Sequence, residues 1–366
     1  MAKIVYGLSG EGSGHSSRSR EIMNYLISSG HEVKAVSYDR GYRNLKDDFD
    51  VLEVVGLRMI NDENRISKTK TLTENISNIL RGYESQERVK ELLFKKFKPD
   101  CVITDFEPIT AYLANYFDIP LITIDNQHRF RYMDFPCPDS MKTDALLVEN
   151  LIRAIVPRPC ISLITTYYFG KVRNNRTILF PPILREKVFK VKTSEKQHIL
   201  VYVTQAYENL LNILKKFKRE KFYVYGYQRS GKDENLTLKR FSRITFLRDL
   251  ASCKAIIGTA GFTLITESLH LKKPYCSIPV KGQFEQIMNA IMLEQLGYGK
   301  NVKEMCRDAI SAFFYELPEY QIKLKDYKSE DNSKITGKLD ELLADNCSLL
   351  REYHNRRTKT ILTKKT

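Results

Sequence analysis

The chain has 366 residues, 42% of them hydrophobic and 28% charged, which is the composition of a folded protein long enough for two domains of ordinary size. No apolar run approaches the roughly 18 residues of a membrane span, and the seven cysteines include no Cys-x-x-Cys pair, so a disulfide scaffold is excluded and a reduced, cytoplasmic inventory is expected. Lysine and arginine outnumber aspartate and glutamate by 59 to 44, a formal net charge of +15, which calls for an anionic membrane surface, nucleic acid, or phosphorylated or acidic substrates as partner. No zinc-finger spacing, aromatic RNA-binding signature or helix-turn-helix pattern supports nucleic acid, and the six histidines form no metal-ligand cluster. The charge is diffuse, with concentrations at Arg65–Lys70, Lys95–Lys98, Lys215–Lys221 and Arg351–Thr366.

In chain order, Lys3–Leu8 reads as a strand, not a secretion signal, because glycines and Glu11 break the apolar run at once. Gly7, Gly10, Gly12 and Gly14 make a glycine-rich loop, and a helix follows with Ile22, Met23, Tyr25 and Leu26 on one side, ending at Gly30. A nicotinamide-type fingerprint starting at Gly10 and Gly12 needs its third glycine where His15 stands, although Asp39 sits where a ribose-binding acid would. His15 instead begins the helix, whose N-terminus disfavours the imidazolium and leaves a neutral base. Glu32–Ser37 is a strand, Ser85–Lys98 a helix, Asp100–Thr104 a strand, Pro108–Phe117 a helix and Pro120–Ile124 a strand. Strands alternating with helices imply a parallel, doubly wound sheet. The loops after the last two of these strands, Thr104–Pro108 and Ile124–Arg129, then lie at the carboxyl edge where open α/β sheets bind ligands. Asp105, Glu107, Asp125 and His128 are expected to converge there near His15; a turn or cap role for the two aspartates is the competing reading.

Ile161–Thr166 and Thr177–Phe180 complete this half, and Pro181-Pro182 marks a linker over Leu179–Lys190. The expected domains are residues 1–182, residues 183–346, and a loosely ordered basic tail over 347–366. The second half repeats the grammar with a strand at Ile199–Thr204, a helix at Glu208–Phe217, a strand at Phe222–Gly226, a strand at Arg243–Phe246 and a helix through Ala251.

The most informative stretch runs from Ala255 to Ala290. A buried strand from Ala255 meets the turn Gly258-Thr-Ala-Gly261, and a helix opening at Phe262 points free N–H groups at a ligand, which suits phosphate. Glu267, about two turns on, can reach vicinal hydroxyls such as those of ribose. A second strand ends at Pro279, and Glu285, Gln286 and Asn289 open the next helix, where they can converge on a sugar. The competing reading is an ordinary βαβ unit with a polar loop.

The ordered set Gly261, Glu267, Lys273-Pro274, Pro279, Glu285-Gln286 and Asn289-Ala290 resembles the donor-binding signature of GT-B glycosyltransferases of families 1 and 28, which include the enzyme that makes the lipid-linked peptidoglycan precursor. The resemblance implies two doubly wound, Rossmann-like parallel-sheet domains facing across a cleft, and transfer of a sugar from a nucleotide-sugar, a UDP-sugar, to a hydroxyl of a glycolipid, cell-envelope polysaccharide or similar acceptor. It implies His15 as catalytic residue with Asp105 or Glu107 as its partner or competitor; counting forward from the matching Asp-Phe reaches Thr110 where family 1 carries its aspartate. For the donor it implies Gly14, Thr204, Gln205, Ala260, Gly261, Phe262, Thr263, Glu267, Glu285, Gln286 and Asn289, with Phe246 and Leu247 beside the base. Gly12, Ser13, Asn126 and His128 fall on the acceptor side. Retaining members commonly carry a glutamate eight positions before the ribose-facing one; Thr259 stands there in this chain, which favours inversion. No metal and no cofactor beyond the nucleotide-sugar is implied. An anionic membrane surface is a further candidate partner, nucleic acid is not expected, and the location expected is cytoplasmic or peripheral on the inner face of the membrane. A UDP-sugar 2-epimerase on the same fold and a non-catalytic nucleotide- or nucleic-acid-binding protein remain alternatives.

Overall fold

The computed structural model describes residues 1–56, 61–62, 65–66, 79–204 and 208–362. The chain divides into two compact units, one of residues 1–60, 67–185 and 331–366, the other of residues 61–66 and 186–330.

The first unit is built on the strands Lys3–Leu8 (β1), Glu32–Ser37 (β2) and Val51–Glu53 (β3) and, beyond a short antiparallel pair at Asn61–Asp62 (β4) and Arg65–Ile66 (β5), on Cys101–Asp105 (β6), Leu121–Asp125 (β7), Ile161–Thr165 (β8) and Thr177–Phe180 (β9). Seven of them form one sheet in the order β3-β2-β1-β6-β7-β8-β9, with every pairing parallel. Side chains alternate along each strand, so both faces must be covered. Ile4, Tyr6, Leu8, Ile103 and Ile122 pack against Ile22, Met23 and Leu26 of helix Gly14–Ser28 and against Leu339 and Leu342 of helix Ser333–Leu362. On the other face Val5, Val36, Val102 and Leu121 meet Ala111 and Leu113 of helix Pro108–Tyr116, together with Leu93 and Phe94. The chain order reverses between β1 and β6, so the loops that follow those two strands part in opposite directions and leave room for a ligand. His15 follows β1, Asp105 ends β6, and Leu8 lies in register with Asp105.

The second unit carries His198–Tyr202 (β10), Lys221–Tyr225 (β11), Gly231–Asp233 (β12), Leu236–Leu238 (β13), Ala255–Gly258 (β14), Tyr275–Ser277 (β15) and Gly299–Asn301 (β16). Their order is β12-β13-β11-β10-β14-β15-β16, parallel except for the β12–β13 hairpin. Here the order reverses between β10 and β14, and helix Phe262–His270 starts four residues after β14 ends.

Two expectations need correction. Residues Arg243–Phe246 are not a strand: Arg243–Ser252 is one helix, with Phe246, Leu247, Leu250 and Ala251 buried. Those four repeat at helical spacing, which a window ending at Phe246 truncates. The tail after residue 346 is not loosely ordered either. Helical turns lie on both sides of a kink within Ser333–Leu362, and Leu339, Leu342, Leu343, Cys347 and Leu350 are buried in the first unit's core. Arg351 and Arg356 are exposed, and the number of basic residues in the tail hides the apolar set in a reading by composition. The helix is interrupted by a left-handed turn, with φ of 48°, 56° and 61° at Asp345, Asn346 and Cys347.

Candidate active site

At the carboxyl edge of the first sheet, the loop after β1 turns through Gly12, whose φ of +71° only glycine adopts without strain. Helix Gly14–Ser28 then begins, with Ser13 making no side-chain cap. This delivers His15 in the first turn, where its Nδ1 lies 2.7 Å from Asp105 Oδ1. Asp105 is fully buried and His15 is 8% exposed. Arg18, one turn along the same helix, grips the carboxylate with both ends of its guanidinium, donating from Nε to Oδ2 at 2.7 Å and from Nη2 to Oδ1 at 2.6 Å. The Ser19 hydroxyl donates to Oδ2 at 3.2 Å. Burial pushes the Asp105 carboxyl upward, but the Arg18 guanidinium and His15 pull it below the usual carboxylate range. The group is a buried anion, held by an arginine, that orients an imidazole.

Glu107 has another task. It is the N-cap of helix Pro108–Tyr116, its side chain accepting from the Ile109 and Thr110 N–H groups at 2.8 and 2.7 Å and from the Thr110 hydroxyl at 2.6 Å. It is 1% exposed, and burial raises its carboxyl while those donors hold it back. A carboxylate so engaged caps the helix that follows it. Thr110, the position matching the family 1 aspartate, is likewise committed to this cap.

Asp125 and His128 do not converge on His15. They form a second pair, Asp125 accepting from the His128 backbone N–H at 2.8 Å with its other oxygen 2.7 Å from His128 Nδ1. Thr104 pairs with Thr123 across β6 and β7, so Asp105 and Asp125 are one residue out of step and point to opposite faces of the sheet. Asn126 and His128 are buried to 1% and 0% exposure, whereas Gly12 is partly exposed and Ser13 exposed. Of the four acceptor-side candidates, only the loop pair therefore meets solvent.

In the second unit, β14 leads through Thr259 and Ala260 to Gly261, the N-cap of helix Phe262–His270, which has no side-chain cap. Gly261 has a φ of −71°, within reach of any residue, yet a Cβ added there would meet no atom within 4 Å. A helix start with no side-chain cap and with room at Gly261 suits an anion. Glu267 is buried at 2% exposure on the same helix. Gln286 and Asn289 brace the loops of this region: Gln286 Oε1 accepts from the Val280 N–H at 3.1 Å, and Asn289 Nδ2 donates to the Ala260 carbonyl at 2.9 Å. Glu285, in the first turn of helix Phe284–Gln295, is partly exposed. Thr204 is exposed after β10, and Gln205 lies outside the described residues. Phe246 and Leu247 are helical and buried, and the Phe246 N–H is spent on the Ser242 carbonyl at 2.9 Å.

Sequence reasoning missed Arg18, Ser19 and Gln127, whose Oε1 accepts from Arg18 Nη2 at 3.4 Å. A signal existed for Arg18: three residues after His15 on a helix, it shares that residue's face. Among the described residues, no helix is long and apolar enough to cross a membrane.

Comparison with known proteins gives these sites a context. Residues 2–318 match the model of the family described as Glycosyl transferase family 1. An uncharacterized glycosyltransferase of Methanosarcina mazei is 25% identical over 343 residues, covering 81% of this chain and 85% of that protein. One from Methanosarcina acetivorans is 24% identical over 328 residues, with the same coverage of 81% and 85%. In fold, the chain is similar to Arabidopsis thaliana UGT89C1 solved with UDP-L-rhamnose, with a TM-score of 0.64 at 14% identity over 95% of this chain and all of that one. It is also similar to Acinetobacter baumannii MurG, with a TM-score of 0.58 at 15% identity over 93% of this chain and 99% of that one. Both sheets and their helices are those of the GT-B glycosyltransferases. With more than three quarters of its length matched by the family model, the chain belongs to glycosyltransferase family 1.

Proposed function

We propose that the chain transfers a sugar with inversion, from a UDP-sugar to a hydroxyl of a glycolipid or cell-envelope polysaccharide. The observation that carries this reading is the His15–Asp105 pair, 2.7 Å apart at the switch point of the first sheet. Asp105 accepts from Nδ1, which leaves Nε2 as the basic nitrogen; it takes the proton of the acceptor hydroxyl as that oxygen attacks the anomeric carbon. The bond to the diphosphate breaks on the opposite side, and the departing charge is met by the uncapped helix start at Gly261. Glu267 binds the ribose hydroxyls. Glu285 contacts the sugar, while Gln286 and Asn289, tied to Val280 and Ala260, hold the loops that surround it. The UDP-L-rhamnose in the Arabidopsis protein of like fold supports the choice of donor. The net charge of +15 supports an acceptor at an anionic lipid surface.

The test is a panel of nucleotide-sugars with polyprenyl-phosphate-linked and soluble glycan acceptors, the product analysed by NMR. The expected product carries the anomeric configuration opposite to the donor's, made from a UDP-sugar and lost in His15→Ala. A retained configuration overturns the mechanism, and turnover of only GDP- or dTDP-sugars overturns the donor.

A further inference from the structure

Eight of the 14 residues of helix Lys142–Ile155 are apolar, yet Ile152 is the one that it buries fully. A helix that is apolar around most of its circumference belongs in a core or against another apolar surface. Leu146 and Leu147 are instead 60% and 59% exposed, and Leu151, one turn on, is 45% exposed. These leucines do not stand alone. On the neighbouring helix Pro108–Tyr116, the Tyr112 hydroxyl donates to the Ala154 carbonyl at 2.7 Å, which seats an exposed ring beside the turn after Leu151. Tyr116, one turn further and 73% exposed, has the Lys90 ammonium 5.7 Å over its ring. Tyr83, two turns before Lys90, is exposed as well. Val89, Ala111 and Ile155 pack these three helical segments on one face of the first sheet, so their outer side carries one band of aliphatic and aromatic groups. Single exposed hydrophobic residues are ordinary on a protein surface, whereas a contiguous band marks a contact.

The chemistry of the band selects its partner. Tyrosine and lysine each join an apolar body to a polar tip, which suits the boundary between water and lipid. Across residues 82–98, 108–118 and 142–158, seven exposed side chains are basic and four acidic, and the whole chain carries +15. That sign attracts anionic headgroups and repels a second copy of the same chain. We propose that the band is a docking face for an anionic lipid bilayer, with Leu146, Leu147 and Leu151 entering the boundary between headgroups and acyl chains and Tyr112 and Tyr116 lying among the headgroups. A helix leading from β7 into the parallel strand β8 ends at the amino edge of the sheet, so its first half, with Leu146 and Leu147, lies toward the carboxyl edge that carries His15. The value of this placement for a lipid-linked acceptor rests on the proposed function; the docking itself does not.

The full chain is sedimented, without donor or acceptor, with vesicles of phosphatidylcholine alone or of equal parts phosphatidylcholine and phosphatidylglycerol. The wild type is expected to bind the anionic vesicles and not the neutral ones. Leu147→Ser combined with Leu151→Ser is expected to lower the partition coefficient by about tenfold or more, with the circular dichroism spectrum and turnover of a water-soluble acceptor at wild-type levels. The chain has no tryptophan, so Leu147→Trp supplies a single reporter. Its emission is expected to move to the blue with anionic vesicles, while that of Ile322→Trp, at an exposed position in the second unit, stays in place. No binding of anionic vesicles by the wild type, binding that the double substitution leaves unchanged, or a blue shift at Ile322→Trp alone overturns the proposal. A dimer in sedimentation velocity that the double substitution dissolves assigns the band to a second copy and overturns it equally. If the doubly substituted chain does not fold, the Leu147→Trp emission still decides, an unmoved spectrum counting against docking. Turnover of soluble acceptors alone removes the lipid acceptor of the proposed function, and the vesicle measurements, which need no acceptor, still decide the docking.

Discussion

Replacing Asp105 by asparagine changes one atom type and almost no volume, so its consequences are electrostatic. In the wild type the carboxylate accepts from Arg18 twice, at 2.7 and 2.6 Å, from Ser19 at 3.2 Å, and lies 2.7 Å from His15 Nδ1. Asparagine can accept through one oxygen only, and its amino group faces donors. Arg18, at 6% exposure, is left as a charge without its anion. Removing one partner of a buried ion pair costs about 3–5 kcal/mol, a large part of the roughly 5–15 kcal/mol that holds a domain folded. The pH dependence follows from the direction of the Asp105 shift. Its carboxyl is lowered in the fold, so its contribution is fully present above the unfolded value near 3.9 and is lost as the pH falls through the lower folded value. The gap between wild type and Asp105→Asn in urea unfolding, followed by far-ultraviolet circular dichroism, is therefore expected to be about 3–5 kcal/mol at pH 6 to 7 and to narrow toward pH 3. A gap below about 1 kcal/mol at pH 7, or one that widens in acid, refutes the assignment of Asp105 as a buried anion held by Arg18.

Glu107→Gln should cost about 0.5–2 kcal/mol, the worth of a helix cap, and leave turnover of the folded protein within about threefold; a loss of about 100-fold with the fold intact returns Glu107 to the chemistry. Gly261→Val should fold normally, because nothing lies within 4 Å of the added Cβ, yet weaken nucleotide-sugar binding by more than about tenfold by filling the space before the helix. Calorimetric titration measures it, and unchanged affinity places the donor phosphates elsewhere. Leu339→Ala, fully buried on the returning helix, should destabilise the first unit by about 2–5 kcal/mol; a cost under about 0.5 kcal/mol in denaturant means that this helix is not part of the first core.

What was legible in the sequence was what local chemistry writes into it. Lys3–Leu8, Glu32–Ser37 and Thr177–Phe180 are strands at the residues that periodicity and breakers indicate, and the helix after Gly261 starts where a glycine turn meets apolar residues. Charge obscured the returning helix: Arg351, Glu352, Asn355 and Arg356 are its wet side, while Leu350, His354 and Arg357 are buried. The cap role of Glu107 was not legible, because a carboxylate after a strand looks the same whether it caps the next helix or serves a substrate. Only the bonds to Ile109 and Thr110 separate the two. Gln286 and Asn289 show the reverse limit: their polar character was legible, but not that each is tied to the backbone at Val280 and Ala260.

The first sheet carries two His–Asp pairs of nearly equal geometry, each 2.7 Å between Nδ1 and a carboxylate oxygen, and three differences decide which can do chemistry. The first is exposure: His15 retains 8% and His128 none, so of the two only His15 meets solvent. The second is position in the chain. His15 starts a 15-residue helix immediately beyond the switch strand β1, whereas His128 precedes one turn of helix, Arg129–Tyr132, and is packed between Tyr132, stacked at 5.7 Å, and Phe106, edge-on at 6.5 Å. The third is charge. Asp105 is shared with a guanidinium in direct contact, while the bonds to Asp125 come from His128 itself, which locks that loop to its own strand. A motif search scores the two pairs alike, because both place a histidine after a strand and an aspartate at a strand end. Register separates them: one residue of offset between β6 and β7 turns Asp105 toward helix Gly14–Ser28 and Asp125 toward the opposite face, so the two pairs serve different sides of the sheet.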